Sequence, residues 1–166
     1  MTTAYLALGS NLGKRQAALR AALDRLRRLP GTQVTAVASF RETDPVDCEP
    51  AAGKFINSAA QLETSLGAGE LFGQIRRIEC ELGRDRSPPP SRSRTIDLDL
   101  LLFGDQIVNS PELVIPHPRM HLRSFVLEPL AEIAPEARHP ILGKTARQML
   151  LELAGAPRAP AGKAAE

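Results

Sequence analysis

The sequence contains no tryptophan, and aromatic residues make up only 4% of its 166 residues. A core built from this chain must therefore be packed mainly with aliphatic side chains. No apolar run approaches the length of a transmembrane helix, which argues against a membrane protein. The opening segment, MTTAYLALGS, lacks the basic start and long apolar stretch of a secretory signal. Because two cysteines are too few for a disulfide framework, we expect a cytoplasmic protein.

Lysine is scarce as well, so nearly all of the positive charge is carried by arginine. The net charge of +2 is too small to indicate a nucleic-acid partner, and no Cys/His cluster has the spacing of a zinc site. Arginines are nevertheless concentrated in one stretch, as Arg76, Arg77, Arg84, Arg86, Arg92 and Arg94. Because the guanidinium group is a permanently charged, fork-shaped donor suited to phosphates, this cluster favours an anionic ligand.

Apolar periodicity predicts strands at 4–9, 32–40, 54–64 and 95–103, and helices at 15–29, 67–84, 122–135 and 144–155. The segments 42–53 and 87–93 are predicted to be loops from their proline, glycine and polar residues, and Asn11 is a candidate cap for the first helix. The order β-α-β-β-α-β with C-terminal helices predicts an α+β protein with a ferredoxin-like, mainly antiparallel sheet. We expect one domain over residues 1–154 and a disordered tail over 155–166.

Asp97 and Asp99 stand at the start of the apolar run in R-T-I-D-L-D-L-L-L-F-G. Alternation along a strand places both carboxylates on one face and the apolar residues around them on the other. Repulsion between such close carboxylates is costly unless a cation intervenes, and Mg²⁺ typically binds one or two carboxylates together with substrate phosphates. A solvated strand end whose charges pair with Arg94 explains the same residues equally well.

Arg84 and Arg94 flank the proline-rich loop that leads to this acidic pair. A basic loop beside a metal site has the parts needed for phosphoryl transfer, because arginines take up negative charge and a closing segment excludes water. A basic solvated loop is the alternative interpretation.

Three further residues are candidates for ligand contacts. His117 lies in the rigid segment IPHPR, where a hydrogen-bond donor is well aimed, although a lone histidine is more often structural. Phe55 and Asn57 share one face of a strand, as needed to stack a flat heteroaromatic ring and bind its edge. A core phenylalanine beside a turn-forming asparagine is the alternative.

Together, these segments resemble the 6-hydroxymethyl-7,8-dihydropterin pyrophosphokinase family of folate biosynthesis. The matching stretches occur in order as AYLALGSNLG, ETDPV, FINSA with LETSL, IECELGR, RTIDLDLLLFG, and IPHPRM with LRSFVLEPL. The resemblance implies a ferredoxin-like α/β/α sandwich, a monomer, and the binding of ATP with two Mg²⁺ ions and then of the pterin. The hydroxymethyl oxygen of the pterin would attack the β-phosphorus of ATP, and AMP would leave.

The same resemblance implies the residues of the site. Asp97 and Asp99 match the metal-binding aspartates, with one of them also able to accept the hydroxyl proton, and Arg84 and Arg94 match catalytic arginines that bind the phosphates. The implied nucleotide contacts are Arg76, Glu79, Arg84, Arg94, His117 and Arg123. The implied pterin contacts are Thr43, Asp44, Val46, Phe55, Asn57 and Phe125, with the two phenylalanines on either side of the ring.

The sequence departs from the family pattern in two regions. Arg92 and Ser93 stand where the family commonly has Gly-Pro, and three consecutive prolines from Pro88 restrict the conformations of the same loop. Asp47 replaces a glycine that commonly follows the Pro-Val of the pterin segment.

Two other functions fit parts of the pattern. A palm-like nucleotidyl transferase also carries paired aspartates on a ferredoxin-like sheet, but it would need a nucleic-acid or cyclising site, against which the modest charge and the lack of an aromatic platform argue. A non-catalytic regulatory domain could bind a small ligand, but it gives no reason for the aspartates and arginines to occur together. The expected partners are therefore ATP and the pterin, with no nucleic acid and no membrane.

Overall fold

The computed structural model describes residues 1–44, 53–83 and 95–155. The strands of its main sheet are β1 (Thr2–Ser10), β2 (Thr32–Val37), β3 (Arg41–Thr43), β4 (Phe55–Thr64) and β5 (Asp97–Phe103). Their order is β2-β4-β1-β5, with every neighbouring pair antiparallel and the short β3 paired with β4. A small separate hairpin, which the sequence pattern did not predict, is formed by β6 (Val108–Asn109) and β7 (Val114–Ile115).

Helices cover both faces of the sheet. They are α1 (Arg15–Arg27), α2 (Ala68–Glu81), α3 (Ser124–Ile133) and α4 (Ala146–Gly155), with a 3-10 turn at Met120–Leu122. Apolar residues of α1 and α2 form one core with one face of the sheet, and those of α3 and α4 form a second core on the opposite face. The predicted ferredoxin-like α/β/α sandwich is confirmed. No helix in the described part of the chain has the length and apolar character needed to cross a bilayer.

Strand β5 buries four apolar residues in succession because it contains a β-bulge. Its register with β1 shifts by one residue at Leu101, which has no opposite partner. Leu100 and Phe103 pack into the core under α1 and α2, whereas Leu101 and Leu102 both pack into the core under α3 and α4. The strict alternation predicted for this strand therefore holds only as far as Leu100.

One predicted boundary and one predicted helix cap are wrong. The predicted loop 42–53 begins inside β3, where Thr43 pairs with Phe55, because three residues are too few to produce a periodic signal. Asn11 does not cap α1, whose cap position is Lys14 without a side-chain hydrogen bond. Instead, Asn11 Nδ2 donates to the carbonyl of Gly53 at 3.3 Å, a long-range partner that local sequence does not reveal.

The buried His139 makes the stability of this fold depend on pH. Its Nδ1 accepts hydrogen bonds from the backbone N–H groups of Ile141 and Leu142, at 3.2 and 3.1 Å. Burial, and then the charge of nearby His121, lowers the pKa of His139 from its ordinary 6.5. Because folding favours the neutral ring, its contribution is fully present above the unfolded pKa and is lost as the pH falls towards the lowered folded pKa.

We therefore expect the free energy of unfolding to decline between about pH 7.5 and about pH 5.5, and to decline less in His139→Gln. The glutamine carbonyl can still accept a backbone N–H but does not titrate. Urea unfolding of both proteins at the two pH values measures the difference. Equal declines would contradict a contribution from His139.

Candidate active site

A row of residues at one end of the sheet brings four strands together. Gly9 of β1 lies opposite Asn57 of β4 and also opposite Asp97 of β5. Asn57 in turn lies opposite Arg41 of β3. Directly opposed residues share a face, and their chain neighbours Leu8, Ile56 and Leu98 are in the core under α1 and α2. The row Arg41–Asn57–Gly9–Asp97 therefore faces the α3 side.

Gly9 is the residue that leaves space in this row. A Cβ atom at this position would lie 3.0 Å from Asn57 Oδ1 and 3.6 Å from Phe55 Cδ1. Even an alanine would therefore crowd the asparagine, and a larger side chain would fill the space beside the ring.

A polar cleft of about 420 Å³ opens beside the Asp97 end of the row. This volume is in the range of small-molecule sites. The cleft is lined by Phe72, Arg76, Glu79, Asp97, Leu98, Asp99, His117, Pro118, Arg119 and Arg123. Six residues predicted from the sequence thus lie around one space, although they come from α2, β5 and the segment before α3.

The two aspartates project from the same face of β5, as predicted. Asp97 and Asp99 are half-buried, whereas Leu98 between them is buried on the other face. The backbone N–H of Leu98 donates to Glu79 Oε2 at 2.9 Å, and Glu79 is only 1% exposed. β5 is an edge strand, so no further strand can accept the N–H of Leu98 on its outer side. The carboxylate of Glu79 takes the place of that strand as the acceptor. Glu79 therefore fixes the backbone between the two aspartates.

His117 is held as a neutral hydrogen-bond donor. Its backbone N–H donates to the carbonyl of Leu101 at 2.9 Å, and its Nδ1 accepts from the backbone N–H of Arg119 at 3.2 Å. Burial first, and then the positive charge of Arg123, lowers the pKa of His117 to about 4, against an opposing effect of Asp97. At neutral pH the ring is uncharged, and because Nδ1 is an acceptor, the proton is on Nε2.

Three arginines surround the cleft. The guanidinium of Arg76 lies over the ring of Phe72, and that of Arg123 over the ring of Phe125, each 5.5 Å from the ring centre. Stacking of this kind holds a flexible cation in one orientation. Arg119 was not among the predicted site residues, although its position two residues after His117 in a proline-rich segment was a usable signal.

The predicted pterin residues lie along the same face. Asn57 is 7% exposed and donates from Nδ2 to Thr43 Oγ1. Phe55 is half-buried opposite Thr43, and Phe125 is half-buried in the first turn of α3, which packs on β4. Asp44 is exposed and lies 3.9 Å from Lys54 Nζ.

Some predicted residues lie outside the described residues. They are Val46 of the pterin segment, Arg84 and Arg94 of the catalytic loop with the prolines between them, and the tail beyond Gly155.

An antiparallel ferredoxin-like sheet with a mixed cationic and acidic cleft at one end defines a class of α/β/α proteins suited to a polar small ligand. Comparison with known proteins identifies the family within this class. The model of the family described as 7,8-dihydro-6-hydroxymethylpterin-pyrophosphokinase (HPPK) matches residues 5–135. This chain belongs to that family. The predicted family and class of enzyme, a pyrophosphokinase, are confirmed.

Curated relatives agree with the family match. The 2-amino-4-hydroxy-6-hydroxymethyldihydropteridine pyrophosphokinase of Bacillus subtilis is 48% identical over 130 residues, covering 78% of this chain and 77% of that protein. The protein of the same name from Pseudomonas aeruginosa is 44% identical over 137 residues, covering 82% and 83%. These matches favour the pyrophosphokinase over the nucleotidyl transferase and the regulatory domain.

Solved structures support the fold. The wild-type HPPK-DHPS of Plasmodium falciparum with pteroate superposes with a TM-score of 0.70 at 16% identity, covering 92% of this chain and 42% of that chain. At this identity the likeness concerns the fold alone. The present chain spans less than half of the length of that protein.

Proposed function

We propose that this chain transfers the pyrophosphoryl group of ATP to 6-hydroxymethyl-7,8-dihydropterin in tetrahydrofolate biosynthesis, giving the pterin diphosphate and AMP. The observation that carries this proposal is the continuity of the row across the sheet. Gly9 has Asn57, a predicted pterin contact, on one side and Asp97 of the polar cleft on the other. A nucleotide in the cleft and a ring beside Phe55 would meet over β1, which is the proximity that a two-substrate transfer requires.

The donor set of the cleft fits magnesium. Its described lining residues include three arginines and three carboxylates, so their formal charges cancel and a polyphosphate needs further positive charge. No three His, Cys, Asp or Glu side chains form a potential metal group within the described ranges. A pair of carboxylates is nevertheless sufficient for Mg²⁺ when phosphates complete its shell. Asp97 and Asp99 would hold two Mg²⁺ ions, which neutralise the phosphates when bound.

The remaining residues bind and orient the two substrates. His117 donates from Nε2 towards the nucleotide. In its neutral state the ring keeps this N–H donor but adds no positive charge that would attract anions from solution. We assign the nucleotide to Arg76, Glu79, Arg84, Arg94, His117 and Arg123. We assign the pterin to Thr43, Asp44, Val46, Phe55, Asn57 and Phe125.

The chemical step is an in-line displacement at the β-phosphorus. The hydroxymethyl oxygen forms the new P–O bond while the bond from the β-phosphorus to the α–β bridging oxygen breaks, and AMP leaves with that oxygen. The hydroxyl proton passes to a carboxylate of the Asp97–Asp99 pair. Arg84 and Arg94 bind the phosphates, where charge develops.

The experiment that tests this function is a product assay with each component omitted in turn. We expect AMP only when ATP, Mg²⁺ and the hydroxymethyl-dihydropterin are all present, with one pterin diphosphate formed per AMP. Chromatographic separation of AMP, ADP and the pterins measures this. Formation of ADP, release of free pyrophosphate as expected from a nucleotidyl transferase, or turnover without the pterin would contradict the proposal.

We also propose a location, an oligomeric state and a domain organisation for the protein. The chain acts as a cytoplasmic monomer, with residues 1–154 forming one domain that carries both substrates. Light scattering during gel filtration, with and without both substrates, would give the mass of a monomer of 17.9 kDa in each case.

A further inference from the structure

An ionic contact joins β3 to α3. Arg41 Nη2 lies 2.8 Å from Glu132 Oε1. Ser39, just before β3, donates to the same carboxylate twice, from its backbone N–H at 2.8 Å and from its hydroxyl at 2.6 Å. Three donors from one short segment thus hold a single side chain of α3. We call this group, Ser39, Arg41 and Glu132, the β3–α3 clamp.

The clamp acts on the helix face that carries Phe125. Phe125 and Glu132 are seven residues apart in α3, so they project in nearly the same direction, two turns from one another. A rotation of α3 about its axis would therefore move both side chains together. Val126, Leu127 and Leu130 pack the opposite side of α3 into the core, and the clamp adds a polar contact on the side that carries Phe125.

On the sheet side, the clamp begins among the predicted pterin residues. Arg41 lies directly opposite Asn57, and Thr43, two residues later on the same face, lies opposite Phe55. The clamp therefore connects the strand wall that carries Phe55 and Asn57 to the helix that carries Phe125.

Arg41 is held in a conformation that is costly by itself. Its Nη1 is buried and, within the part of the chain that the structure describes, has no hydrogen-bond partner. A buried donor without an acceptor is unfavourable, so the contacts with Glu132 must compensate for it. The hydrogen bonds from Ser39, and then the charge of Arg41, lower the pKa of Glu132, so the ionised carboxylate is the form that the clamp stabilises.

We propose that Arg41 is a positioning residue for the pterin, which, through Glu132, holds Phe125 at the correct distance from the Phe55–Asn57 wall. This inference rests on the proposed function. An ordinary surface ion pair would affect stability slightly and neither substrate selectively. The clamp instead affects pterin binding most, because Phe125 belongs to the pterin contacts. Arg123, a proposed nucleotide contact, lies over the same ring, so a much smaller effect on the nucleotide is expected.

The test compares steady-state kinetics of Arg41→Met with those of Arg41→Lys and of Arg25→Met. Arg25 also forms an ion pair between two elements, with Glu81 of α2, but on the opposite face of the sheet, and so is the matched control. We expect Arg41→Met to raise KM for the pterin roughly tenfold, while KM for ATP and kcat stay within about twofold. Arg41→Lys keeps the charge and should recover most of the loss. Arg25→Met should resemble the wild type.

The outcomes separate this proposal from the proposed function. If the wild type forms no AMP from the pterin, the function itself is wrong. If the wild type is active and Arg41→Met has an unchanged KM for the pterin, the positioning role is wrong, and a parallel rise of both KM values would equally overturn it. Should Arg41→Met fail to fold, Glu132→Gln, which keeps one acceptor oxygen for Ser39 but removes the charge, must show the same selective rise in KM for the pterin.

Discussion

Replacing Asp97 by alanine is expected to abolish pterin-dependent AMP formation, with a decrease of at least about a thousandfold. Asp97 stands at the first position of β5, opposite Gly9, where the polar cleft meets the predicted pterin residues. In the proposed mechanism it holds Mg²⁺ against the phosphates together with Asp99, and the two ions need both carboxylates, so Asp99 alone does not replace it. Asp97→Asn should be nearly as inactive, because it keeps the shape but loses the charge.

The fold should survive this change. Removing one of two like charges relieves repulsion with Asp99, so we expect the melting temperature to fall by no more than a few degrees, on the order of the effect of a surface substitution. Asp105→Ala changes an exposed carboxylate just after β5 and should retain full activity. An active Asp97→Ala protein would contradict the metal role, whereas an unfolded one would contradict the expected survival of the fold.

Replacing Leu101 by alanine is expected to lower the free energy of unfolding by about 2–5 kcal/mol. Leu101 is fully buried in the core under α3 and α4, and its carbonyl accepts the backbone N–H of His117 at 2.9 Å. The substitution leaves a cavity in that core, next to the backbone that holds His117. A loss of this size is a large part of the total stability of a domain.

Urea unfolding measures this loss, and the exposed Leu151, at 65% exposure, provides the matched control. Leu151→Ala should change stability by no more than about 0.5 kcal/mol. If Leu101→Ala cost less than about 1 kcal/mol, the extra residue of the bulge would not be contributing to the second core as its burial indicates.

The fold was largely predictable because its signals are local and repeated. The apolar spacing of α1 and α2 and the alternation at the start of β5 are each enough to assign an element, and the order of elements limits the topology to few choices. The bulge was not predictable, because a uniform run of leucines carries no period that could reveal an extra residue. The short β3 and the bond from Asn11 to Gly53 depend on partners distant in sequence, which no local pattern encodes.

Six of the residues that line the cleft were also predicted from the sequence. The segment IPHPR indicated His117, and the resemblance to the family supplied Glu79 and Arg123. The structure places these side chains around the same cleft as the aspartates. Arg119 and the Arg41–Glu132 contact were missed. An arginine on a strand and a glutamate ninety-one positions later have no relation until the helix is packed on the sheet.

The bulge at Leu101 also determines which changes of chain length β5 can accept. Loss of any one of the codons for Leu100, Leu101 and Leu102 yields the same protein, in which a regular strand would still direct the aspartates and Phe103 to their present faces. Loss of the codon for Leu98 would instead make the two aspartates adjacent. Because neighbouring residues on a strand face opposite sides, one of the two side chains would then point into the core. Length variation among descendants of this sequence should therefore be found within the leucines and not between the aspartates.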